Sequence, residues 1–167
     1  MQTVILYDSR FGNTEAIAHA IARGAADHSA VTVLHATDAR RDAALAGGPD
    51  LVLVGGPTHN HGPSAGLKAL ADLLSTRIAG LPTACFDTRY RGPVLLMGSG
   101  ASAAAKVLSR AGAQLVAPPE SFFIIRKGSM ATQELEPAEI ERAESWGRDI
   151  AAAAASRLAS GAVAAAR

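Results

Sequence analysis

The sequence predicts an α/β fold in which five parallel strands form a doubly wound sheet with helices on both faces. Short apolar runs alternate along the chain with amphipathic helical stretches, the order typical of such sheets. Residues 50–55 (D-L-V-L-V-G) are apolar on both faces, as expected of a strand covered on both sides. The 167 residues, 49% hydrophobic and 19% charged, are enough for one well-buried core. We therefore expect a single domain over residues 1–160, followed by a short Ala-rich tail, 161–167.

Each strand is predicted from a short apolar or β-branched run. The predicted strands are residues 4–7, 31–35, 50–55 and 82–86, and a fifth composed of 114–117 and 121–126. Pro118 and Pro119 separate the two parts of the fifth strand, because proline cannot donate a ladder hydrogen bond.

The helices are predicted between the strands from amphipathic spacing and end signals. They cover residues 15–25, 38–45, 65–74 and 102–111, and a last helix opens at Glu136-Pro137 and runs through Trp146. Gly112 is a natural terminator for the fourth helix, and proline suits the first turn of the last one.

The first strand leads into its helix through a loop rich in hydroxyl groups. The loop residues are Ser9, Arg10, Phe11, Gly12, Asn13 and Thr14. The first backbone N–H groups of a helix lack partners and attract anions, while glycine permits close approach. The segment has neither Gly-Lys-Ser/Thr nor Gly-x-Gly-x-x-Gly, so it predicts a site for a single phosphate. The alternative is an ordinary Ser/Thr-capped turn without a ligand.

This loop resembles the fingerprint of the flavodoxin family, an aromatic residue followed by Ser/Thr-x-x-Gly-x-Thr and then an alanine. Tyr7, Ser9, Gly12, Thr14 and Ala18 fit it. The resemblance implies FMN as cofactor, with its 5′-phosphate at this loop. It also implies strand order 2-1-3-4-5, with the site at the carboxyl ends of strands 1, 3 and 4.

A second loop follows the third strand and contains glycines, prolines and polar residues that exclude a helix. Its candidate site residues are Pro57, Thr58, His59, Asn60, His61 and Gly62. In the family this loop covers one face of the isoalloxazine ring, and His59 stands where many relatives carry an aromatic residue. A family peptide that turns its carbonyl toward flavin N5 corresponds to Asn60-His61. The alternatives are a metal pair, His59 and His61, which lacks a third ligand, or a purely structural polar loop.

A third segment, Asp87, Thr88, Arg89 and Tyr90, follows the fourth strand. It resembles the family pattern Asp-Ser-x-Tyr, in which the tyrosine stacks on the flavin. Alternatively, Tyr90 packs against the turn at residues 91–93. Arg89 either offsets negative charge on the flavin or is a solvated side chain.

A competing motif lies directly downstream. Residues 93–97 could form a strand, and residues 98–103 (G-S-G-A-S-A) then resemble a dinucleotide loop. In that case the third flavin loop would be residues 98–101. Too little chain follows to complete a nucleotide-binding half, and close packing of a helix explains the small residues better.

The resemblance implies an electron carrier that shuttles electrons between redox partner proteins, a reductase and an acceptor, with no catalytic residue of its own. One alternative is an FMN-dependent NAD(P)H:acceptor or quinone reductase. Another is a binding module that has lost the cofactor.

Charge and cysteine usage complete the expectations. With 16 basic and 15 acidic side chains, the net charge of +1 predicts no nucleic-acid partner and no attraction to an anionic membrane. Flavodoxins are markedly acidic, so we expect a less negative reduction potential here, and partner docking that depends weakly on salt. The first strand begins at once, without a signal peptide, and Cys85 has no disulfide partner, which predicts a cytoplasmic protein. We expect a monomer or a weak homodimer.

Overall fold

The computed structural model describes residues 1–128 and 133–165, with side chains described through residue 160. The strands are β1 (Gln2–Tyr7), β2 (Ala30–His35), β3 (Leu51–His59), β4 (Gly62–Pro63), β5 (Pro82–Tyr90), β6 (Gln114–Leu115), β7 (Glu120–Arg126) and β8 (Gln133–Leu135). The helices are α1 (Asn13–Ala25), α2 (Arg41–Ala46), α3 (Ala65–Ser75), α4 (Val94–Met97), α5 (Gly100–Arg110) and α6 (Glu139–Ala165).

The principal strands form a parallel sheet in the order β2-β1-β3-β5-β7, which confirms the predicted order 2-1-3-4-5. Two further short strands, β4 and β8, were not predicted from the sequence. β4 pairs antiparallel with the end of β3, and β8 pairs antiparallel with β7 at the sheet edge. The fold is thus the expected doubly wound α/β sheet with a small antiparallel addition on two strands.

The interrupted fifth strand is confirmed. β6 pairs with the start of β5 at Pro82 and Thr83, and β7 pairs with β5 from Phe86 onward, both in parallel. The two segments occupy the same side of β5, and the Pro118-Pro119 step falls between them.

Helices cover both faces of the sheet. α1 and α6 pack on one face, where Ile17, Ile21 and Ile150 belong to the buried core. α3 and α5 pack on the other face through Leu67, Leu70 and Leu108. No helix within the described ranges is long and apolar enough to cross a membrane.

Glycine lets α1 and α6 approach closely. A Cβ atom at Gly24 would collide with the backbone of Glu144, and one at Gly147 would collide with the backbone of Ile21. The two glycines therefore set the spacing of this helix pair.

Several predicted boundaries were wrong. β3 continues to His59 and β5 to Tyr90, so much of the second and third predicted loops is strand. Residues 93–97 are not a strand, because Val94–Met97 form the short helix α4. The last helix begins at Glu139 rather than Glu136, after Ala138 with φ +66°, and continues past Trp146 to Ala165. The last two residues of the predicted tail, 166–167, lie outside the described residues.

Candidate functional site

The turn between β1 and α1 leaves backbone donors free at the start of a helix. Gly12 has φ +84°, a conformation that favours glycine, and a Cβ added there would meet nothing within 4 Å. The Ser9 hydroxyl accepts hydrogen bonds from the backbone N–H groups of Gly12 (3.2 Å) and Glu15 (3.4 Å). In the part of the chain that is described, the N–H groups of Asn13 and Thr14 have no partner. The turn can therefore receive a phosphate group.

Neighbouring strands hold this turn in place. The hydroxyl groups of Thr14 and Thr88 lie 2.7 Å apart, which joins α1 to β5. The Asn13 side-chain amide donates to the Gln133 carbonyl at 3.1 Å, which joins α1 to β8. The turn is thus braced against two strands of the sheet.

Asp8 connects the same turn to the start of α3. Its carboxylate accepts a 2.6 Å hydrogen bond from the hydroxyl of Ser64, which in turn caps α3 by accepting from the Leu67 N–H. The Asp8 N–H donates to the Gly55 carbonyl at 2.9 Å. The first and second predicted loops are therefore fixed relative to each other.

The second predicted loop is a β-hairpin. Thr58 pairs with Pro63 and His59 with Gly62, and Asn60 and His61 form the turn. Both turn residues have positive φ, +46° and +67°, as in the type I′ turn that matches strand twist. Asparagine tolerates this conformation well, whereas it is uncommon for histidine.

Asp87 lies beneath the hairpin and is fully buried. One carboxylate oxygen, Oδ2, accepts hydrogen bonds from the Thr58 hydroxyl (2.9 Å), the Ser99 hydroxyl (2.8 Å) and the Ala101 N–H (3.0 Å). The other, Oδ1, has no hydrogen-bond partner in the described chain and lies 4.0 Å from Arg89 Nε. Asp87 thus ties the hairpin to the start of α5 from below.

The predicted residues surround two adjoining cavities. The first, called here the loop pocket, lies between the β1–α1 turn and the ends of β3, β5, β7 and β8. The second, the groove, has a volume of 350 Å³ and lies between the hairpin and the end of β5. Thr58, His59 and Tyr90 line both, so the two cavities are neighbours.

The cavities bring together the predicted site residues except Gly12, Gly62 and Asp87, which line neither. Gly12 shapes the turn, Gly62 closes the hairpin, and Asp87 supports both Thr58 and α5. Four further lining residues were missed by sequence reasoning: Met97, Ile124, Arg126 and Gln133. Ile124 and Arg126 lie near the carboxyl end of the fifth strand, which faces the same sheet edge and could have been inspected with the others.

In the competing dinucleotide motif, the first three N–H groups of α5 already have acceptors. The Gly100 N–H donates to the Thr58 hydroxyl (2.8 Å), the Ala101 N–H to Asp87 (3.0 Å), and the Ser102 N–H to Ser99 (3.1 Å). A Cβ at Gly98 would collide with the His61 backbone. These glycines serve close packing of α5 against the hairpin, and the groove is bordered by Arg89 and Tyr90 rather than by residues 98–101.

Two other expectations concern His59, His61 and Cys85. In the described ranges, 1–128 and 133–165, no group of three or more His, Cys, Asp or Glu side chains is placed to hold a metal ion. Cys85 is buried, and desolvation raises the pKa of its thiol to about 12. The thiol is therefore a protonated core group at neutral pH.

Residues 5–146 match the flavodoxin family. The chain belongs to the flavodoxin family. The family comprises FMN-binding electron-transfer proteins, and FMN is accordingly the cofactor of this flavodoxin. No curated protein matches the sequence.

Solved structures share the fold. A flavodoxin from the domain Archaea is 21% identical, with TM-score 0.74, over 92% of this chain and 99% of its own. Flavodoxin 1 from Bacillus cereus is 18% identical, with TM-score 0.71, over 90% of this chain and 97% of its own. Rubredoxin oxygen:oxidoreductase from Desulfovibrio gigas is 20% identical, with TM-score 0.74, over 95% of this chain but 37% of its own.

The cavities fit the cofactor. Free helix N–H groups and the Ser9 hydroxyl in the loop pocket suit a phosphate, and the adjoining groove is large enough for a planar ring. Thr58, His59 and Tyr90 line both cavities, so the ribityl chain that links phosphate and ring would pass beside these three residues.

Proposed function

We propose that this flavodoxin carries electrons between redox proteins, from a reductase to an acceptor. When bound, FMN supplies the chemistry, since it can take up and release electrons singly or in pairs. The chain binds and orients it. The β1–α1 turn would hold the phosphate, while the hairpin and Tyr90 would flank the ring. No side chain is required to transfer a proton.

The observation that carries this proposal is a rim of exposed apolar side chains beside the groove. Leu95 is 96% exposed, Leu96 66% and Val94 50%, and all three belong to α4, whose Met97 lines the groove. Ile125 and Phe11 are also exposed, at the end of β7 and in the β1–α1 turn. Exposed apolar patches commonly mark protein contacts, so the rim favours electron exchange with a docked protein.

The proposal also covers the cellular location of the protein and its oligomeric state. A lone, buried, reduced cysteine suits the reducing cytoplasm. A monomer leaves the apolar rim free for a partner. Size-exclusion chromatography with light scattering measures the assembly directly.

Three spectroscopic measurements test the function. The purified protein is loaded with FMN, reduced anaerobically with dithionite, and mixed with oxidised cytochrome c as a protein acceptor. We expect FMN uptake, transfer of two electrons to two cytochromes per flavin, and no steady oxidation of NAD(P)H by the protein alone. Sustained NAD(P)H oxidation would show that the protein is a reductase rather than a carrier. Failure to bind FMN would instead favour a binding module without the cofactor.

A further inference from the structure

Arg89 places a fixed positive charge at the wall of the groove. The residue is only 6% exposed, yet it lines the groove. Its Nε donates to the Ser121 hydroxyl (2.9 Å), and its Nη1 donates to the carbonyls of Tyr90 (3.1 Å) and Gly92 (3.0 Å). Its Nη2 makes no hydrogen bond to the described residues and is not sealed from solvent. The guanidinium is therefore held rigidly while one donor nitrogen stays available to a ligand.

The side chains that line the groove include basic groups but no carboxylate in the described part of the chain. The carboxylate of Asp87 lies 4.0 Å from Arg89 Nε, but it is fully buried and does not line the groove. Within the described chain, the charged or ionisable side chains that line the groove are Arg89, Arg126, His59, His61 and Tyr90, with no carboxylate among them. A ring in the groove would thus face cations on its protein side.

Reduction of bound FMN changes the charge in this groove. Uptake of two electrons and one proton leaves one negative charge on the ring, and a nearby cation in a poorly solvated site stabilises that charge. We infer that Arg89 binds the reduced, anionic form of FMN more strongly than the oxidised form and so raises the two-electron reduction potential. This inference rests on the proposed function through FMN binding alone.

Three substitutions separate charge from packing. Arg89→Gln removes the charge, and Arg89→Lys retains it. Arg91→Gln is the matched control. Both guanidinium groups lie over the Phe123 ring, Arg89 at 5.1 Å and Arg91 at 4.0 Å from its centroid, but Arg91 is exposed and already paired with Glu136 at 2.6 Å. For each protein we would measure the dissociation constant for oxidised FMN and the midpoint potential by dithionite titration. All of these proteins would be measured in one buffer at one pH, so that the groove histidines are the same in every comparison.

We expect Arg89→Gln to bind oxidised FMN within threefold of wild type and reduced FMN at least tenfold more weakly. A tenfold loss for a two-electron couple lowers the midpoint potential by about 30 mV. Arg89→Lys should keep most of the wild-type potential, and Arg91→Gln all of it. An unchanged potential in Arg89→Gln, or equal shifts in the glutamine and lysine variants, would overturn the inference.

A second variant, expected to shift the potential in the opposite direction, tests the inference if Arg89→Gln fails to fold. Asparagine at position 87, unlike alanine, keeps a side-chain oxygen that can accept the hydrogen bonds now made to Asp87 Oδ2. Asp87→Asn removes the negative charge behind Arg89, so the midpoint potential should rise, and a fall would count against the inference. If wild-type protein takes up no FMN, the proposed function itself fails. If it takes up FMN and the potential ignores both residues, only the role of Arg89 fails.

Discussion

Replacing Asp87 with alanine should destabilise the protein severely, although the residue contacts neither cavity. Its Oδ2 accepts three hydrogen bonds, from Thr58, Ser99 and the Ala101 N–H. Ser99 and Ala101 are buried, and Asp87 is the only acceptor of their Oγ–H and N–H groups among the described residues, so both donors would be left unpaired. Thr58 is half-buried and can turn its hydroxyl toward the groove.

The size of this destabilisation can be worked out from the contacts that Asp87 makes. Each buried donor left without a partner costs about 1–3 kcal/mol, and the buried guanidinium of Arg89 would also lose its neighbouring carboxylate. Breaking a buried ion pair by removing one partner typically costs about 3–5 kcal/mol. These costs overlap because they come from one carboxylate, and Arg89 keeps its three other acceptors, Ser121 and the carbonyls of Tyr90 and Gly92. We therefore expect Asp87→Ala to lower the free energy of unfolding by about 3–6 kcal/mol.

Urea denaturation of the apoprotein, followed by far-UV circular dichroism, measures this change. The matched control is Asp27→Ala, because Asp27 is an exposed carboxylate that pairs with Arg148 at 3.4 Å, and its loss should cost about 0–1 kcal/mol. If Asp87→Ala cost no more than Asp27→Ala, at an unchanged denaturant slope, the carboxylate would not tie the hairpin to α5 as described.

Three further changes probe other parts of the molecule. Gly147→Ala should lower the free energy of urea unfolding by about 2–4 kcal/mol, because its Cβ would force α1 and α6 apart. The control Gly47→Ala should change it by about 0.5 kcal/mol or less, because a Cβ there would make only ordinary van der Waals contacts, the nearest with the Ala44 carbonyl oxygen at 3.4 Å. Equal effects would contradict the close helix contact. Gly12→Ala should weaken FMN binding, measured by flavin fluorescence, at least tenfold, while leaving riboflavin, which lacks the phosphate, unaffected. Alanine at position 12 would have to adopt the positive φ of Gly12, which should lower the free energy of unfolding by about 1–2 kcal/mol. Equal weakening of FMN and riboflavin binding would refute a phosphate-specific role for the turn. Burial raises the Cys85 pKa from 9.0 to about 12, so the folded state holds this proton more tightly than the unfolded state. Stability relative to Cys85→Ala should thus be constant below about pH 9 and fall by up to about 1.4 kcal/mol per pH unit above it; a pH-independent difference in urea unfolding would refute this.

Local sequence predicted the parts of the fold that local chemistry determines. The β1–α1 turn was recognisable because Ser9, Gly12 and Thr14 act within a few residues of one another. The principal strand order followed from the alternation of strands and helices together with the family resemblance. The site at the sheet edge then followed from the parallel arrangement.

The missed features depend on contacts between distant segments. The hairpin read as a loop because its turn is Asn60-His61 rather than the familiar Asn-Gly, and its pairing includes Pro63. β8 is three residues long and is defined by pairing with β7. Asp87 looked like a loop residue because nothing local reveals that Ser99 and Ala101 approach it. The short helix α4 was not predicted, and a strand over residues 93–97 stayed open as an alternative, because so short an apolar run carries no periodicity.

The break between β6 and β7 makes this protein a candidate scaffold for a genetically inserted reporter. The chain leaves the ladder on β5 after Leu115, is exposed at Pro118, and pairs with the same strand again from Glu120. The pairings on either side are separate, so added residues would lengthen an existing gap rather than divide a continuous strand. A small fluorescent or epitope module grafted there would leave the β1–α1 turn, the hairpin and the groove intact, since none of them includes residues 116–119.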